Sequence, residues 1–195
     1  MRVVVAPERS SNSLVVTANP YDVVSRGLTP LKLLANDYGM NLHNFIATGR
    51  DAPRLYRFKE QALRQLATNL VKNAVIHSGG RDVFIHFEAT EIRQDVFKAQ
   101  LIVKDNGKGI PQHQIQTLFE AFARGDTTQD GTGLGLFIAK QLAEELGGHL
   151  EYEENITGGA CFSVEFLLQA ASMPAEAEAE AEAEAEAEAK AKSEA

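Results

Sequence analysis

The sequence has little cysteine, no long apolar run and no excess of basic residues. Cys161 is the only cysteine, so the chain can form neither an intrachain disulfide nor a thiolate zinc cluster, which fits a reducing compartment. No apolar stretch approaches the roughly 18 residues of a membrane helix, and the short apolar run at 3–6 ends at Pro7, which does not predict a signal peptide. We therefore expect a cytoplasmic location and no direct membrane contact by this segment.

The net charge is concentrated at one end of the chain. The formal charge is −8, but residues 175–195 contain eight Glu and two Lys and so carry most of it. The rest of the chain is nearly balanced and has no basic face, so we do not expect it to bind nucleic acid.

The last segment alternates Ala and Glu from Ala175 onward. Glu at every second position places like charges four residues apart, where they repel in a helix, and the segment has no apolar face to bury. We predict three regions: an N-terminal remnant or linker at 1–13, one folded domain at 14–169, and a disordered Ala/Glu-rich tail at 170–195.

Apolar periodicity predicts both helices and strands in the folded domain. Helices are expected at 23–38, 57–77 and 134–146, and strands at 14–17, 41–48, 82–87, 99–105, 149–153 and 160–168. Most strands follow one another as hairpins, and the helices fall in separate runs. This order predicts an α+β two-layer sandwich, with a mixed, mostly antiparallel sheet and one helical layer.

The long predicted helix carries Asn69, Asn73 and His77 at four-residue spacing. This spacing stacks three polar side chains in one stripe beside the apolar stripe of Leu63, Leu66, Leu70 and Ala74. Taken alone, the stripe is better explained as the polar edge of a packed helix than as a binding site.

A second group is Asp105-Asn106-Gly107-Lys108-Gly109, at the end of a predicted strand. Asp105 falls on the strand face that Leu101 and Val103 would turn toward a core, and a buried carboxylate requires a hydrogen-bond donor. The exocyclic amine of a purine would serve, and the two glycines would let a ligand approach the backbone. A polar strand end followed by a hairpin turn explains the same residues equally well.

A third group, Gly131-Thr132-Gly133-Leu134-Gly135-Leu136, leads directly into a predicted helix. Alternating glycines leave backbone N–H groups open at a helix start, which favours anion binding. The pattern matches neither a P-loop nor a dinucleotide-binding fingerprint. The preceding segment has an apolar base and a small polar tip, as a lid requires; Arg124 could contact phosphate there or simply face solvent.

Together these segments resemble the ATP-binding catalytic domain of sensor histidine kinases, a superfamily shared with DNA gyrase, mismatch-repair ATPases and heat-shock chaperone ATPases. Residues 69–78 resemble its N box, 105–110 its first glycine box, 118–122 its F box, 131–136 its second glycine box and 158–160 its last glycine box. The five segments occur in the family's order.

The resemblance implies the Bergerat α/β sandwich, with ATP and Mg²⁺ as ligands. It implies that Asn73 coordinates magnesium, that Asn69 lines the same site, that Asp105 binds the adenine amino group and that Arg124 faces the γ-phosphate. The other residues that it implies at the nucleotide are His77, Gly107, Gly109, Ile110, Phe119, Phe122, Gly131, Thr132, Gly133, Leu134, Gly135 and Leu136.

Asn69 bears on the type of reaction. Hydrolytic members of the superfamily carry a Glu at this position to activate water, and an amide cannot accept that proton. The resemblance therefore implies γ-phosphoryl transfer to a histidine on a dimerisation and phosphoacceptor hairpin, and onward to a response regulator receiver domain. No H-E-x-x-x-P-like helix precedes residue 14, so the acceptor is expected on a separate domain. A stand-alone ATPase and an anti-sigma-type serine kinase of the same superfamily are the alternatives.

Overall fold

A computed structural model of the protein describes residues 14–46, 55–121, 134–155 and 158–171. Within these ranges the chain forms seven strands and five helices. In chain order they are β1 (Val15–Ala18), α1 (Pro20–Leu28), α2 (Leu31–Asp37), β2 (Asn41–Ile46), β3 (Tyr56–Lys59), α3 (Glu60–His77), β4 (Asp82–Arg93), β5 (Val96–Asp105), α4 (Gln112–Ile115), α5 (Gly135–Glu145), β6 (His149–Glu154) and β7 (Ala160–Ala170). None of the described helices is long and apolar enough to cross a membrane.

The strands form one mixed sheet in the order β1-β3-β7-β5-β4-β2. Among the described strands, β2 and β4 form the parallel pair and all the other pairs are antiparallel. β5 runs along one side of β7, while β6 and β3 share the other side. The predicted α+β class with a mostly antiparallel sheet is confirmed.

The core lies between this sheet and a layer of helices. Leu63, Leu66 and Leu70 of α3 are fully buried against inward-facing strand residues such as Ile85 and Leu101. Burying each of these leucines contributes about 1.5–3 kcal/mol of hydrophobic free energy. The predicted apolar stripe of α3 is confirmed, and it fixes the rotation of the helix, so that its polar stripe lies at the edge of the core.

The single helix predicted over 23–38 is wrong. The structure has two helices there, α1 and α2, with Thr29 and Pro30 between them. Pro30 has no N–H to donate into a continuing helix, so the hydrogen-bond ladder is interrupted there, although Thr29 before it keeps helical φ −55° and ψ −46°. α1 begins earlier than predicted because the Asn19 side chain accepts a hydrogen bond of 2.9 Å from the Tyr21 N–H and caps the helix at Pro20.

The predicted start of the long helix at Arg57 is also wrong. Residues Tyr56–Lys59 form β3, which pairs with β1 and with the end of β7, and α3 begins at Glu60. Tyr56 and Phe58 are buried while Arg57 between them is exposed, which is strand alternation. β4 and β5 are longer than predicted and meet at a two-residue turn, where Asp95 has φ 59°.

Candidate functional site

The polar stripe of α3 lies at the boundary between α3 and the start of α5. Asn69 and Asn73 are half-buried there. Gly135, the first residue of α5, lies so close that a Cβ at this position would be 2.8 Å from Asn73 Oδ1. Asn73 Nδ2 is buried and has no hydrogen-bond partner among the described residues. A buried amide N–H without a partner is costly, so Nδ2 fits a position that an acceptor of a ligand completes, while the Oδ1 oxygen is the atom that could contact a cation.

His77 ends the same stripe, one turn beyond Asn73. Desolvation lowers the pKa of His77, and the positive charge of Lys108 lowers this pKa further. The ring is therefore neutral at pH 7. The Lys108 N–H donates a 3.0 Å hydrogen bond to the Ser78 carbonyl oxygen, which holds the end of α3 beside the glycine-containing loop that follows β5.

Asp105 ends β5 on the core side of the sheet, as its alternation with Leu101 and Val103 predicts. The residue is only 4% exposed. Its Oδ1 accepts hydrogen bonds from the N–H groups of Gly107, at 2.9 Å, and Ala160, at 3.2 Å. In the described part of the chain, Oδ1 accepts both hydrogen bonds to this carboxylate, so Oδ2 can accept a hydrogen bond from another donor. Burial raises the pKa of Asp105, although the two N–H groups act in the opposite direction.

The glycines around Asp105 have a packing role that the sequence did not predict. A Cβ at Gly107 would lie 2.1 Å from the Ser78 carbonyl oxygen, and a Cβ at Gly159 would lie 2.1 Å from the Asp105 carbonyl oxygen. Gly159 also has φ +95°, which an L side chain rarely adopts. These glycines are needed for contact between chain segments; that Gly107 and Gly109 also let a ligand approach stays a prediction.

Aromatic side chains form an apolar wall beside the carboxylate. Phe162 lies opposite Val103 in the sheet register, two residues before Asp105. Its ring centroid is 6.5 Å from that of Phe119, in an edge arrangement, and 5.5 Å from that of Tyr152. A buried acceptor beside flat apolar side chains is a surface that suits a heteroaromatic base.

The structure brings several of the predicted site residues into contact with one another or with the core. Ile110 and Leu136 are half-buried against the same core, Leu134 is half-buried at the N-cap of α5, and Gly135 is the first residue of α5, one residue after the predicted start. Five predicted residues lie outside the described ranges, and their roles stay predictions: Phe122, Arg124, Gly131, Thr132 and Gly133.

Two residues at the site were not predicted from the sequence. Asn155 Nδ2 donates a 2.9 Å hydrogen bond to the Asp105 carbonyl oxygen, and the side chain of Asn106 is bonded to the start of β4. The match of residues 158–160 to a glycine box indicated that this part of the chain lies at the site, and Asn155 is three residues before it. Asn106 lies within the motif at 105–110, but no sequence pattern indicated its hydrogen bonds to the start of β4.

Comparison with known proteins identifies the family of this chain. A profile described as "Histidine kinase-, DNA gyrase B-, and HSP90-like ATPase" matches residues 58–170, which include α3, Asp105 and the start of α5. The chain belongs to this family. The matched segment runs from β3 to the end of β7 and so contains every described element that contributes to the site.

The curated relatives are sensor kinases that are much longer than this chain. Sensor histidine kinase AruS of Pseudomonas aeruginosa is 37% identical over 122 residues, which are 60% of this chain and 12% of that protein. Sensor protein KdpD of Escherichia coli K12 is 36% identical over 108 residues, which are 53% of this chain and 11% of KdpD. Sensor histidine kinase GacS of Pseudomonas protegens is 27% identical over 173 residues, which are 85% of this chain and 19% of GacS.

Solved structures share the fold. Full-length ShkA in complex with AMPPNP superposes with a TM-score of 0.66 and 24% identity, over 82% of this chain and 32% of ShkA. The catalytic domain of histidine kinase ThkA superposes with a TM-score of 0.59 and 21% identity, over 78% of this chain and 95% of that domain. The two-layer sandwich is therefore the Bergerat fold of histidine kinase catalytic domains.

Proposed function

We propose that this domain binds Mg·ATP and transfers the γ-phosphoryl group to a histidine on a separate dimerisation and phosphoacceptor hairpin, for relay to a response regulator receiver domain. The relatives named above are sensor kinases of which this chain spans between 11% and 19%. In this proposal the acceptor and the receiver belong to parts other than the segment described.

The buried carboxylate of Asp105 carries the proposal. Its Oδ1 is held by two backbone N–H groups, so the direction of Oδ2 is fixed before a ligand arrives. Adenine presents an amino group as a donor, whereas guanine presents a carbonyl oxygen at the corresponding position. A fixed acceptor beside the Phe162 ring therefore favours adenine, because guanine would place an acceptor against a carboxylate.

Asn73 is the residue that fits a magnesium ion. Its Oδ1, beside Gly135, could coordinate the ion, and its buried Nδ2, which has no described partner, could donate to a phosphate oxygen. The described residues contain no cluster of three or more His, Cys, Asp or Glu that could hold a metal ion, so phosphate and water oxygens would supply the other ligands. Bound there, Mg²⁺ would offset the charge that develops on the phosphate oxygens.

The residues of the site can position a nucleotide but supply no base for hydrolysis at Asn69. Its amide cannot take a proton from water, which favours delivery of the phosphoryl group to an incoming nucleophile. Catalysis would then come from orientation and charge neutralisation. Arg124 would assist from the lid segment.

The decisive experiment mixes the purified chain with γ-labelled ATP, Mg²⁺ and a separately produced dimerisation hairpin of a sensor kinase. We expect acid-labile label on the hairpin histidine, no label on the chain alone, and no label when the acceptor histidine is replaced. Acid-stable label on a hydroxyl would instead identify a serine kinase. Steady ATP turnover without any acceptor would identify an ATPase, and either result would overturn the proposal.

A further inference from the structure

A second carboxylate, Asp82, links the edge of the sheet to the loop that follows Asp105. Asp82 is the first residue of β4. Its Oδ1 accepts a 3.1 Å hydrogen bond from Asn41 Nδ2 and lies 2.9 Å from His43 Nε2, both on edge strand β2. Its Oδ2 accepts a 2.9 Å hydrogen bond from Asn106 Nδ2. These hydrogen bonds, that of His43 above all, hold the pKa of Asp82 below its usual range, so the group stays ionised at neutral pH.

Asn106 is held at both ends of its side-chain amide. While Nδ2 donates to Asp82, Oδ1 accepts hydrogen bonds of 2.9 Å from the backbone N–H groups of Arg81 and Asp82. The backbone N–H of Asn106 donates to the Asp82 carbonyl oxygen at 3.3 Å. The side chain is therefore used entirely within the protein, and its rotamer and the backbone beside it are fixed.

The position of Asn106 matters because it lies between Asp105 and Gly107. The Gly107 N–H donates to Asp105 Oδ1, so the orientation of the 106–107 peptide sets the direction of this donor and hence of the carboxylate. On the other side of the loop, the Lys108 N–H donates to the Ser78 carbonyl oxygen at 3.0 Å. The loop is thus tied to the start of β4 by a side chain and to the end of α3 by its backbone.

We propose that Asp82 is a positioning residue for purine recognition: through Asn106 it fixes the orientation of the Asp105 carboxylate and so strengthens the preference for ATP over GTP. Asp82 need not contact the base to do this. The inference rests on the proposed function, because it requires Asp105 to bind the adenine amino group.

A pair of reciprocal substitutions tests the link. Asp82→Asn replaces one acceptor oxygen by an NH2 donor. The variant can therefore keep either the hydrogen bond from Asn106 or the hydrogen bonds from β2, but not both. Asn106→Asp brings two carboxylates together. The double variant exchanges donor and acceptor between the two positions without changing net charge, and the new carboxylate at position 106 can still accept the two backbone N–H groups.

Calorimetry would measure the affinities for ATP and for GTP with the wild-type chain, both single variants and the double variant. We expect each single substitution to lower the ATP-to-GTP affinity ratio by about three- to tenfold, since one hydrogen bond in the positioning network is lost. The double variant should return the ratio to within about twofold of wild type. Glu88→Gln is the matched control, because Glu88 lies on the same strand and pairs with His86 at 3.2 Å, on the outer face of the sheet. The ATP-to-GTP affinity ratio of Glu88→Gln should equal that of wild type.

The outcomes separate this inference from the proposed function. A wild-type chain with no preference for ATP over GTP would overturn both. A wild-type preference that survives Asp82→Asn, or that is lost in the single variants and not regained in the double, would overturn this inference alone. Equal losses of ATP and GTP affinity would show that Asp82 acts only on stability, which also overturns it. If Asp82→Asn does not fold, the double variant decides. A double variant that folds and has the wild-type ATP-to-GTP affinity ratio supports the link, and a double variant that does not fold contradicts it.

Discussion

The two halves of the candidate site are prepared to different degrees. On the adenine side, the Asp105 carboxylate is already held by two N–H groups and enclosed by close backbone contacts at Gly107 and Gly159. On the phosphate side, Asn73 presents a buried amide nitrogen with no described partner. In the proposed function, base recognition would therefore be built into the folded chain, whereas the magnesium position would be completed by the ligand. This difference predicts that substitutions on the first side change stability and binding together, and that those on the second change binding alone.

The largest effect is expected from Gly159→Ala, which tests how rigid the adenine side is. The new Cβ would lie 2.1 Å from the Asp105 carbonyl oxygen at φ +95°, so the chain must shift. We expect a loss of about 3 kcal/mol or more in the free energy of unfolding, measured with urea, and loss of ATP binding.

Gly158→Ala is the matched control for that substitution. Gly158 also has positive φ, +88°, but its Cβ would lie no closer than 3.7 Å to the Gly107 carbonyl oxygen. Only the conformational cost of about 1–2 kcal/mol should remain. Similar losses for the two variants would show that the contact with Asp105 is unimportant, and the adenine side would then not be the more rigid half.

Asn73→Ala tests the phosphate side. Removing the amide takes away the proposed magnesium ligand, so the part of ATP affinity that depends on Mg²⁺ should disappear, a loss of about tenfold or more. Affinity in EDTA and the unfolding midpoint should change little, because Asn73 Nδ2 has no described partner to lose. Gln65→Ala, on the exposed side of the same helix, should change neither quantity. A magnesium dependence that persists in Asn73→Ala would remove this residue from the metal site.

Asp105→Asn should weaken ATP binding by about 1–3 kcal/mol, the range of a hydrogen bond to a charged group. Titration with ATP and with GTP measures the change, and the loss should fall mainly on ATP. Equal affinity of wild type and variant for ATP would contradict the role of this carboxylate.

Asp105→Asn should weaken ATP binding but increase the stability of the folded chain at neutral pH. Burial raises the pKa of Asp105, so the folded chain binds this proton more tightly than the unfolded chain. The stability that this provides is present below the ordinary Asp value of about 3.9 and is lost as the pH rises through the raised pKa. Asp105→Asn avoids that loss. Its urea midpoint should exceed that of wild type at pH 7, and the gap should close in acid.

Local patterns in the sequence predicted the elements with strong periodicity. The α3 stripe of Leu63, Leu66 and Leu70 repeats at helical spacing, and β7 alternates inward Phe162 with outward Ser163, so both were predicted within a few residues. β3 was missed because four residues are too short to show a period, and because its pairing with β1 and β7 is with distant residues.

The site was predictable to the extent that it depends on residue type. Asp105 and Asn73 were identified by motif and by face. The hydrogen bonds that orient them were not, because Ala160 is 55 residues from Asp105 and Asp82 is 24 residues from Asn106. Such contacts depend on strand register, which nearby sequence does not encode, so the close packing of Gly107 against Ser78 was not predicted.

The smallest effect is expected on the outer face of the sheet, at Lys98. Its Nζ lies 3.2 Å from Glu165 Oε1, and each side chain is a little under half exposed. Lys98→Ala should change the free energy of unfolding by less than about 0.5 kcal/mol in urea, because exposed ion pairs contribute little. ATP affinity should stay the same. Lys98 is on β5, the strand that ends at Asp105. A change in ATP affinity would therefore show coupling along this strand, and the rigidity of the adenine side would no longer come only from the loops that enclose its carboxylate.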